Sequence, residues 1–156
     1  MRQEALTRWT PENAAELYGI RNWGAGYYDV SPAGEVVVRP GGLRDGGEIS
    51  LLSLVKRLEK RGLNMPVVIR FANILASQIA LINESFRKAI RDAGYTGKYR
   101  GVFPIKVNQQ SEIVEDITEF GAQYHHGLEV GSKAELIAAV SHMHDPEALI
   151  ICNGYK

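Results

Sequence analysis

Hydrophobic residues in this chain follow two alternating patterns from residue 48 onward. Four segments carry apolar residues three or four positions apart, which is typical of helices packed on one face: 50–63, 73–94, 111–121 and 132–143. Short, continuously apolar runs lie between and after these segments, at 65–71, 99–109, 126–131 and 148–155. Such runs are typical of buried strands. Strands that alternate with helices predict βαβ units and a parallel sheet.

The predicted fold class is therefore α/β, and the four strands correspond to about half of an eight-stranded TIM barrel. A complete (β/α)8 barrel takes about 250 residues, whereas the chain has 156. The pattern predicts the N-terminal half of a barrel over residues 48–156, truncated directly after a strand.

Residues 1–47 predict a separate N-terminal segment with a short helix and a β-hairpin. In WTPENAAELYG, Thr10 is a candidate N-cap, Pro11 suits the first helical turn and Gly19 can end the helix. The stretch GYYDVSPAGEVVVRP predicts two strands around a turn at residues 31–34. The Gly-rich stretch that follows has no phosphate-loop spacing, so it predicts a flexible connector.

Composition excludes several classes of function. Lys plus Arg and Asp plus Glu balance at 18 each, so the chain has no general attraction for nucleic acid or an anionic membrane. The single cysteine cannot form an internal disulfide, which fits a reducing compartment. The polar N-terminus lacks the apolar core of a signal peptide, and no apolar run approaches the ~20 residues of a membrane helix. We therefore expect a soluble, cytoplasmic protein.

One lysine lies in the middle of the apolar run YRGVFPIKVNQQ, at position 106. Chains rarely bury lysine without a partner or a purpose. Side chains alternate across a strand, so Lys106 is expected on the face opposite the apolar side chains that suit the helix layer, Phe103, Ile105 and Val107. Lys106 would then point into the barrel near the carboxyl end of its strand, where barrel enzymes place their chemistry.

The next predicted strand, HGLEVG, carries a carboxylate between two glycines. Gly127, Glu129 and Gly131 share one face, while Leu128 and Val130 share the other. The glycines predict open space beside Glu129 that something other than protein could fill.

Two interpretations of Lys106 and Glu129 follow from their spacing. In the first, they form a structural ion pair between adjacent strands, as barrel interiors allow. In the second, the Lys106 amine is a nucleophile that reacts with an aldehyde, and Glu129 pairs with its charge.

Four ordered motifs resemble one known family. FPIKVNQ is similar to the lysine motif of fold-type III pyridoxal-phosphate decarboxylases and alanine racemases. Together, YGIRNWGAGYYDVSPAGEVVV, GVFPIKVNQQ, GLEVGSKAEL and ICNGYK resemble the biosynthetic arginine decarboxylases of bacteria and plants, over nearly the whole chain from about Leu17 to Lys156. The chain departs modestly from the motifs of that family, with Phe103 where Tyr is common and Val130 where Ala is common.

The resemblance implies a cofactor, a substrate and site residues. Lys106 would hold pyridoxal 5'-phosphate covalently, and Asn108 and Glu129 would lie beside the cofactor. The implied reaction converts L-arginine to agmatine and carbon dioxide in polyamine and spermidine biosynthesis, in a cytoplasmic homo-oligomer. Asn108 has an equally simple interpretation as a hydrogen bond at the strand end. The resemblance also raises Mg²⁺ as a second cofactor, for which the sequence identifies no ligands.

The resemblance further implies that later segments complete the site. In that family the Gly-rich phosphate loop, the acid at the pyridine nitrogen and the substrate-binding residues come from later strands. We therefore expect this chain to be an N-terminal portion of the enzyme and to be inactive alone. Alternatives are a related decarboxylase or racemase, a barrel that binds pyridoxal phosphate without turnover, and a structural half-barrel that assembles with another chain.

Other candidates have simpler explanations. His125, His126, His142 and His144 lack the spacing of a metal site and are expected at the surface or at the start of a strand. Ser132 with Glu135, in SKAEL, predicts a capping box. Cys152 lies in an apolar strand and is expected in the core.

Overall fold

The structure is a computed structural model that describes residues 8–42 and 47–154. It is a mixed α/β structure with two compact units, Met1–Ile74 and Leu75–Lys156. The helices are α1 Pro11–Leu17, α2 Ile20–Trp23, α3 Leu51–Lys60, α4 Ala72–Asp92, α5 Ser111–Gly121 and α6 Lys133–His142. The strands are β1 Tyr28–Val30, β2 Val36–Val38, β3 Ile49–Ser50, β4 Val102–Pro104, β5 Gly127–Val130 and β6 Ile150–Cys152. The domain boundary expected between residues 47 and 48 stays a prediction.

The first unit contains a small antiparallel sheet in the order β1-β2-β3. The predicted hairpin is confirmed, because Tyr28 pairs with Val38 and Val30 pairs with Val36. The edge strand β3 was not predicted, since it consists of only two residues. The predicted flexible connector falls mainly on residues 43–46, which lie outside the described residues.

Helices α1 and α3 of the first unit lie within the predicted segments, whereas the short helix α2 was not predicted. The Thr10 hydroxyl accepts a hydrogen bond from the Asn13 backbone N–H, and the Asn13 side chain accepts one from the Thr10 backbone N–H, which completes a capping box. Gly19 follows α1 with φ +59°, a left-handed conformation that glycine adopts without steric cost. Ser50 caps α3 by accepting a hydrogen bond from the Ser53 backbone.

The second unit contains a parallel sheet in the order β4-β5-β6. Helix α5 connects β4 to β5 and α6 connects β5 to β6, so the predicted βαβ units are confirmed. Val102 pairs with Gly127, and Pro104 with Glu129. On the other side of β5, Glu129 pairs with Ile151.

The core of this unit lies between the sheet and its helices. It is built from Ile79, Ile105, Val114, Ile117, Tyr124, Leu128, Val130 and Ala139. Leu128 and Val130 share the helix-facing side of β5, as alternation predicts, and are 0% and 2% exposed. Burying each such side chain contributes about 1.5–3 kcal/mol, so this face of β5 anchors the strand that carries Glu129.

The strand predicted at residues 65–71 does not form, so three of the four expected parallel strands are present. The segment carries no strand hydrogen bonds, and Val68 is 82% exposed. Val67 and Ile69 are half-buried and Val68 is exposed, so side-chain burial alternates along this segment although it has no partner strand among the described residues. A strand needs a neighbour to hydrogen-bond with, and the described residues provide none here.

Among residues 8–42 and 47–154, no helix combines the length and the hydrophobicity that spanning a membrane requires.

Candidate functional site

Lys106 lies in a turn rather than in an extended strand. Strand β4 ends at Pro104, and Ile105–Val107 form a single 3-10 turn closed by a 3.0 Å hydrogen bond from Asn108 N to Ile105 O. Proline cannot donate to the sheet, which favours the end of a strand at this point. Ile105 is 2% exposed, so it lies on the buried face, as the predicted alternation of side chains requires. Val107 is 69% exposed, so the alternation fails after Ile105.

The side chain of Lys106 is exposed at the carboxyl end of β4. In the part of the chain that the structure describes, its amine makes no hydrogen bond or ion pair. The structural ion pair with Glu129 that spacing allowed is therefore not formed. This leaves a lysine amine available to a ligand at the end of a parallel sheet where barrel enzymes bind their substrates.

Glu129 lies on the neighbouring strand β5, paired through its backbone with Pro104 and Ile151. Its side chain is only 9% exposed, and its Oε1 atom has no hydrogen-bond partner in the described residues. An unsatisfied buried polar atom costs about 1–3 kcal/mol. Such a cost commonly marks a functional site, because a ligand can supply the missing partner.

The space expected beside Gly127 is filled by backbone. A Cβ atom on Gly127 would lie 1.9 Å from the carbonyl oxygen of Leu149, and the next residue, Leu128, donates to that same oxygen at 3.0 Å. Gly127 thus allows β5 to approach the segment before β6. A Cβ atom added at Gly131 would have a Glu135 carboxylate oxygen as its nearest neighbour at 3.5 Å, an ordinary contact. The expected opening is therefore wrong at Gly127.

Asn108 uses its side chain locally. Its Oδ1 atom accepts a 3.0 Å hydrogen bond from the Gln110 backbone N–H, in the turn that leads into α5. This matches the simpler interpretation of Asn108 as a strand-end hydrogen bond. A contact between Asn108 and a cofactor stays a prediction.

Glu135 has a role that the capping-box prediction missed. The Ser132 hydroxyl accepts from Glu135 N at 3.1 Å, as predicted. The Glu135 carboxylate, however, accepts from Gly131 N at 2.6 Å and from Gln109 Nε2 at 3.1 Å. It therefore links the segment after Lys106 to the segment after β5. The spacing of Glu135, four positions after Gly131, could have indicated its hydrogen bond to the Gly131 backbone. Its contact with Gln109, which is distant in the sequence, could not be found from local spacing.

Two of the histidines lie at the opposite end of the sheet. His126 directly precedes β5, which is the strand-start position that the sequence analysis allowed, and it is 8% exposed rather than at the surface. Burial lowers the pKa of His126, because the charged imidazolium would lose its hydration. Its Nδ1 atom lies 3.4 Å from the amide nitrogen of buried Asn83. That contact fits a neutral imidazole that accepts at Nδ1.

His125 pairs with Asp145 at 2.8 Å. The pKa of Asp145 is lowered, mainly because its carboxylate accepts a hydrogen bond from the Glu147 backbone and also because of His125. Cys152 is exposed, so its expected place in the core is wrong. In the described residues, no group of three or more His, Cys, Asp or Glu side chains could hold a metal ion.

Comparison with known families decides the class of this site. Residues 79–156, half of the chain, match the model of the pyridoxal-dependent decarboxylases, pyridoxal binding domain. The chain belongs to this family. The matched segment contains Lys106, Asn108 and Glu129, and pyridoxal phosphate is the family's cofactor.

The chain is also similar to biosynthetic arginine decarboxylases. It is 52% identical over 148 residues to the one from Gloeobacter violaceus, a match covering 95% of this chain and 23% of that protein. The relative from Thermosynechococcus vestitus is 45% identical over 150 residues, which is 96% of this chain and 23% of the relative. The crystal structure of biosynthetic arginine decarboxylase SpeA from Campylobacter jejuni matches with a TM-score of 0.80 and 34% identity, over 89% of this chain and 23% of that one. This chain thus spans about a quarter of the length of these relatives.

The residues present fit the cofactor of the pyridoxal-dependent decarboxylases. Covalent attachment of an aldehyde requires a free amine, and Lys106 supplies one that no described residue engages. A charged or hydrogen-bonding cofactor would give Glu129 Oε1 the partner that it lacks. Lys106 follows the carboxyl-terminal end of β4, and Glu129 lies on the adjacent parallel strand β5, opposite Pro104 in the register.

Proposed function

We propose that this chain is the lysine-bearing portion of a biosynthetic arginine decarboxylase, which converts L-arginine to agmatine and carbon dioxide in polyamine biosynthesis. Two observations carry the proposal: the Lys106 amine after the end of β4 has no partner among the described residues, and neither has the buried Glu129 Oε1 atom on the neighbouring strand β5. The similarity to arginine decarboxylases over 95% of the chain supports this substrate.

In the proposed site, Lys106 Nζ binds the cofactor. Its amine would hold the cofactor through the aldehyde carbon, with loss of water, and would give up that position to the amine of the substrate. Bound pyridoxal phosphate supplies an electron sink that allows the α-carboxylate to leave as carbon dioxide. Glu129 places a carboxyl group in a position that is 9% exposed, where it would bind a cationic or hydrogen-bonding group of the cofactor. Asn108 closes the turn that carries Lys106 through its backbone N–H, and its side chain is proposed to lie beside the cofactor.

We further propose that the parallel sheet β4-β5-β6 belongs to a (β/α)8 barrel whose other strands complete the cofactor site. Activity is proposed for the longer enzyme and not for the 156-residue chain by itself. A cytoplasmic location and a homo-oligomeric enzyme are parts of the same proposal. Mg²⁺ remains an expectation from the family resemblance, without assigned ligands.

The central test replaces Lys106. A suitable protein is a chimera in which this chain substitutes for the matching segment of the Gloeobacter violaceus relative. We expect Lys106→Ala to lower carbon dioxide release from arginine by roughly a thousand-fold or more, because the attachment amine is lost. Lys106→Arg is expected to fail as well, since guanidinium stays protonated and cannot attack an aldehyde.

Lys88→Ala is the matched control, because Lys88 is an exposed lysine engaged only in a surface ion pair with Asp92. A second readout is borohydride reduction followed by peptide mapping, which should label Lys106 in the chimera and not in its Lys106→Ala variant. Wild-type carbon dioxide release from Lys106→Ala would rule out the assignment. Labelling at Lys106 without release from arginine would indicate a binding protein or a decarboxylase for another amino acid.

A further inference from the structure

A second cluster of charged side chains lies at the amino-terminal end of the parallel sheet, away from Lys106. An open cavity of about 520 Å³ is bordered there by the last turns of α4, the loop before β4, and the loops before β5 and β6. Its charged lining residues are Arg87, Arg91, Lys98, Arg100, His125 and Glu147. The lining thus holds four permanent cations and one carboxylate, while Glu84 and Asp145, outside the lining, pair with Arg87 and His125.

Two of these cations have no counter-charge. Neither the Arg91 side chain nor the Lys98 side chain makes an ion pair or hydrogen bond within the described part of the chain, and both residues are exposed. Arg87 is partly engaged, by Glu84 at 3.2 Å and by the ring of Tyr124. A position in the last turn of α4 explains Arg91, because cations stabilise a helix C-terminus. It does not explain Lys98, which comes from the following loop.

The loop that carries Lys98 is held against α4. Tyr99 stacks on Phe86 of α4 with ring centroids 4.0 Å apart and planes at 6°. This stacking places Lys98 beside the α4 cations and limits the conformational entropy that a bound ligand would have to remove.

Glu147 marks the position of an anion in this cluster. Its carboxylate lies 3.0 Å from Arg100 and 3.7 Å from His125 Nε2, yet the side chain is 62% exposed. Exposed ion pairs contribute about 0–1 kcal/mol, so a competing anion can displace this carboxylate at little cost.

We propose that this cavity is a binding site for a small multivalent anion with phosphate or carboxylate groups, separate from the cofactor site. The guanidinium groups of Arg91 and Arg100 bind such groups in a bidentate manner, and Lys98 adds a point charge. One anion with two or more charged groups can bridge α4 and the loop before β4, which a monovalent ion cannot do.

The test is calorimetric titration of the full-length polypeptide that carries these residues, saturated with pyridoxal phosphate so that the cofactor site is filled. Pyrophosphate and citrate are the two probes, at matched ionic strength. We expect Arg91→Ala and Arg100→Ala each to weaken binding by roughly three- to ten-fold, and Glu147→Gln to strengthen it by a similar factor, because a competing charge is removed. Preference for one probe identifies the group recognised.

Arg61→Ala is the control for general charge loss, since Arg61 is exposed and does not line the cavity. Arg91→Lys should recover part of the affinity, which separates loss of charge from loss of fold. Binding should weaken as salt is added. Absence of binding by both probes, or equal affinities in wild type, Arg91→Ala and Glu147→Gln, would overturn the proposal.

Discussion

Replacing Glu129 by glutamine separates the two roles that its carboxylate could have. The change removes the negative charge and keeps the size of a side chain that is only 9% exposed. If Glu129 were one partner of a buried ion pair, breaking the pair would cost about 3–5 kcal/mol. The structure shows no such pair with Lys106 and leaves Oε1 without a partner among the described residues, so no favourable contact is lost at that atom.

We therefore expect Glu129→Gln to change the free energy of unfolding of the cofactor-free protein by no more than about 1 kcal/mol. Turnover should fall by about ten-fold or more in the same variant, because an interaction with a charged group is worth about 1.5–3 kcal/mol. Glu129→Met, which removes both carboxylate oxygens, should unfold at the same or a higher denaturant concentration.

The two measurements are urea-induced unfolding without cofactor and carbon dioxide release from arginine with cofactor, on one preparation of the chimera. Glu115→Gln is the matched control, because Glu115 is an exposed carboxylate on α5. A loss of about 3 kcal/mol or more with unchanged turnover would refute the reasoning, since it would show that Glu129 serves the fold rather than the cofactor.

Two further predictions concern the structure that supports the site. Gly127→Ala should destabilise the protein by about 2–3 kcal/mol in urea unfolding, since its Cβ would overlap the Leu149 backbone. Gly131→Ala, where the added Cβ makes only an ordinary contact, should leave the free energy of unfolding nearly unchanged. Equal effects of the two substitutions would contradict this description of the packing at Gly127. Because the pKa of His126 is lowered in the folded state, the unfolded chain binds the proton more tightly. The stability contributed by neutral His126 should be complete above about pH 6.5 and be lost as pH falls below that value. His126→Gln should flatten the dependence of the free energy of unfolding on pH. An unchanged pH profile in this variant would argue against a role of His126 in that dependence.

Local features of the fold were predictable because their contacts lie within a few residues along the chain. The N-cap at Thr10 and the left-handed Gly19 depend on hydrogen bonds and sterics inside one helix end. The βαβ order likewise follows from periodicity, which each segment carries by itself. Lys106 was identifiable because a lysine in an apolar run violates the pattern around it.

Features that depend on distant partners were not predictable in the same way. Residues 65–71 have the composition of a strand, but strand hydrogen bonds require a neighbouring strand, and within the described residues β4 pairs with β5 alone. Similarly, the sequence predicted open space beside Gly127, whereas the Leu149 backbone fills it. Cys152 was predicted in the core, whereas it is exposed in β6.

The sequence by itself therefore predicted the βαβ order of the second unit, the N-cap of α1 and the lysine that stands out from its apolar run. Only the tertiary structure decided that Lys106 lies in a turn after Pro104, and that its amine and one buried oxygen of Glu129 have no partner among the described residues. The physical reason is that burial and pairing are properties of surfaces brought together by folding, whereas caps and periodicity are properties of adjacent residues.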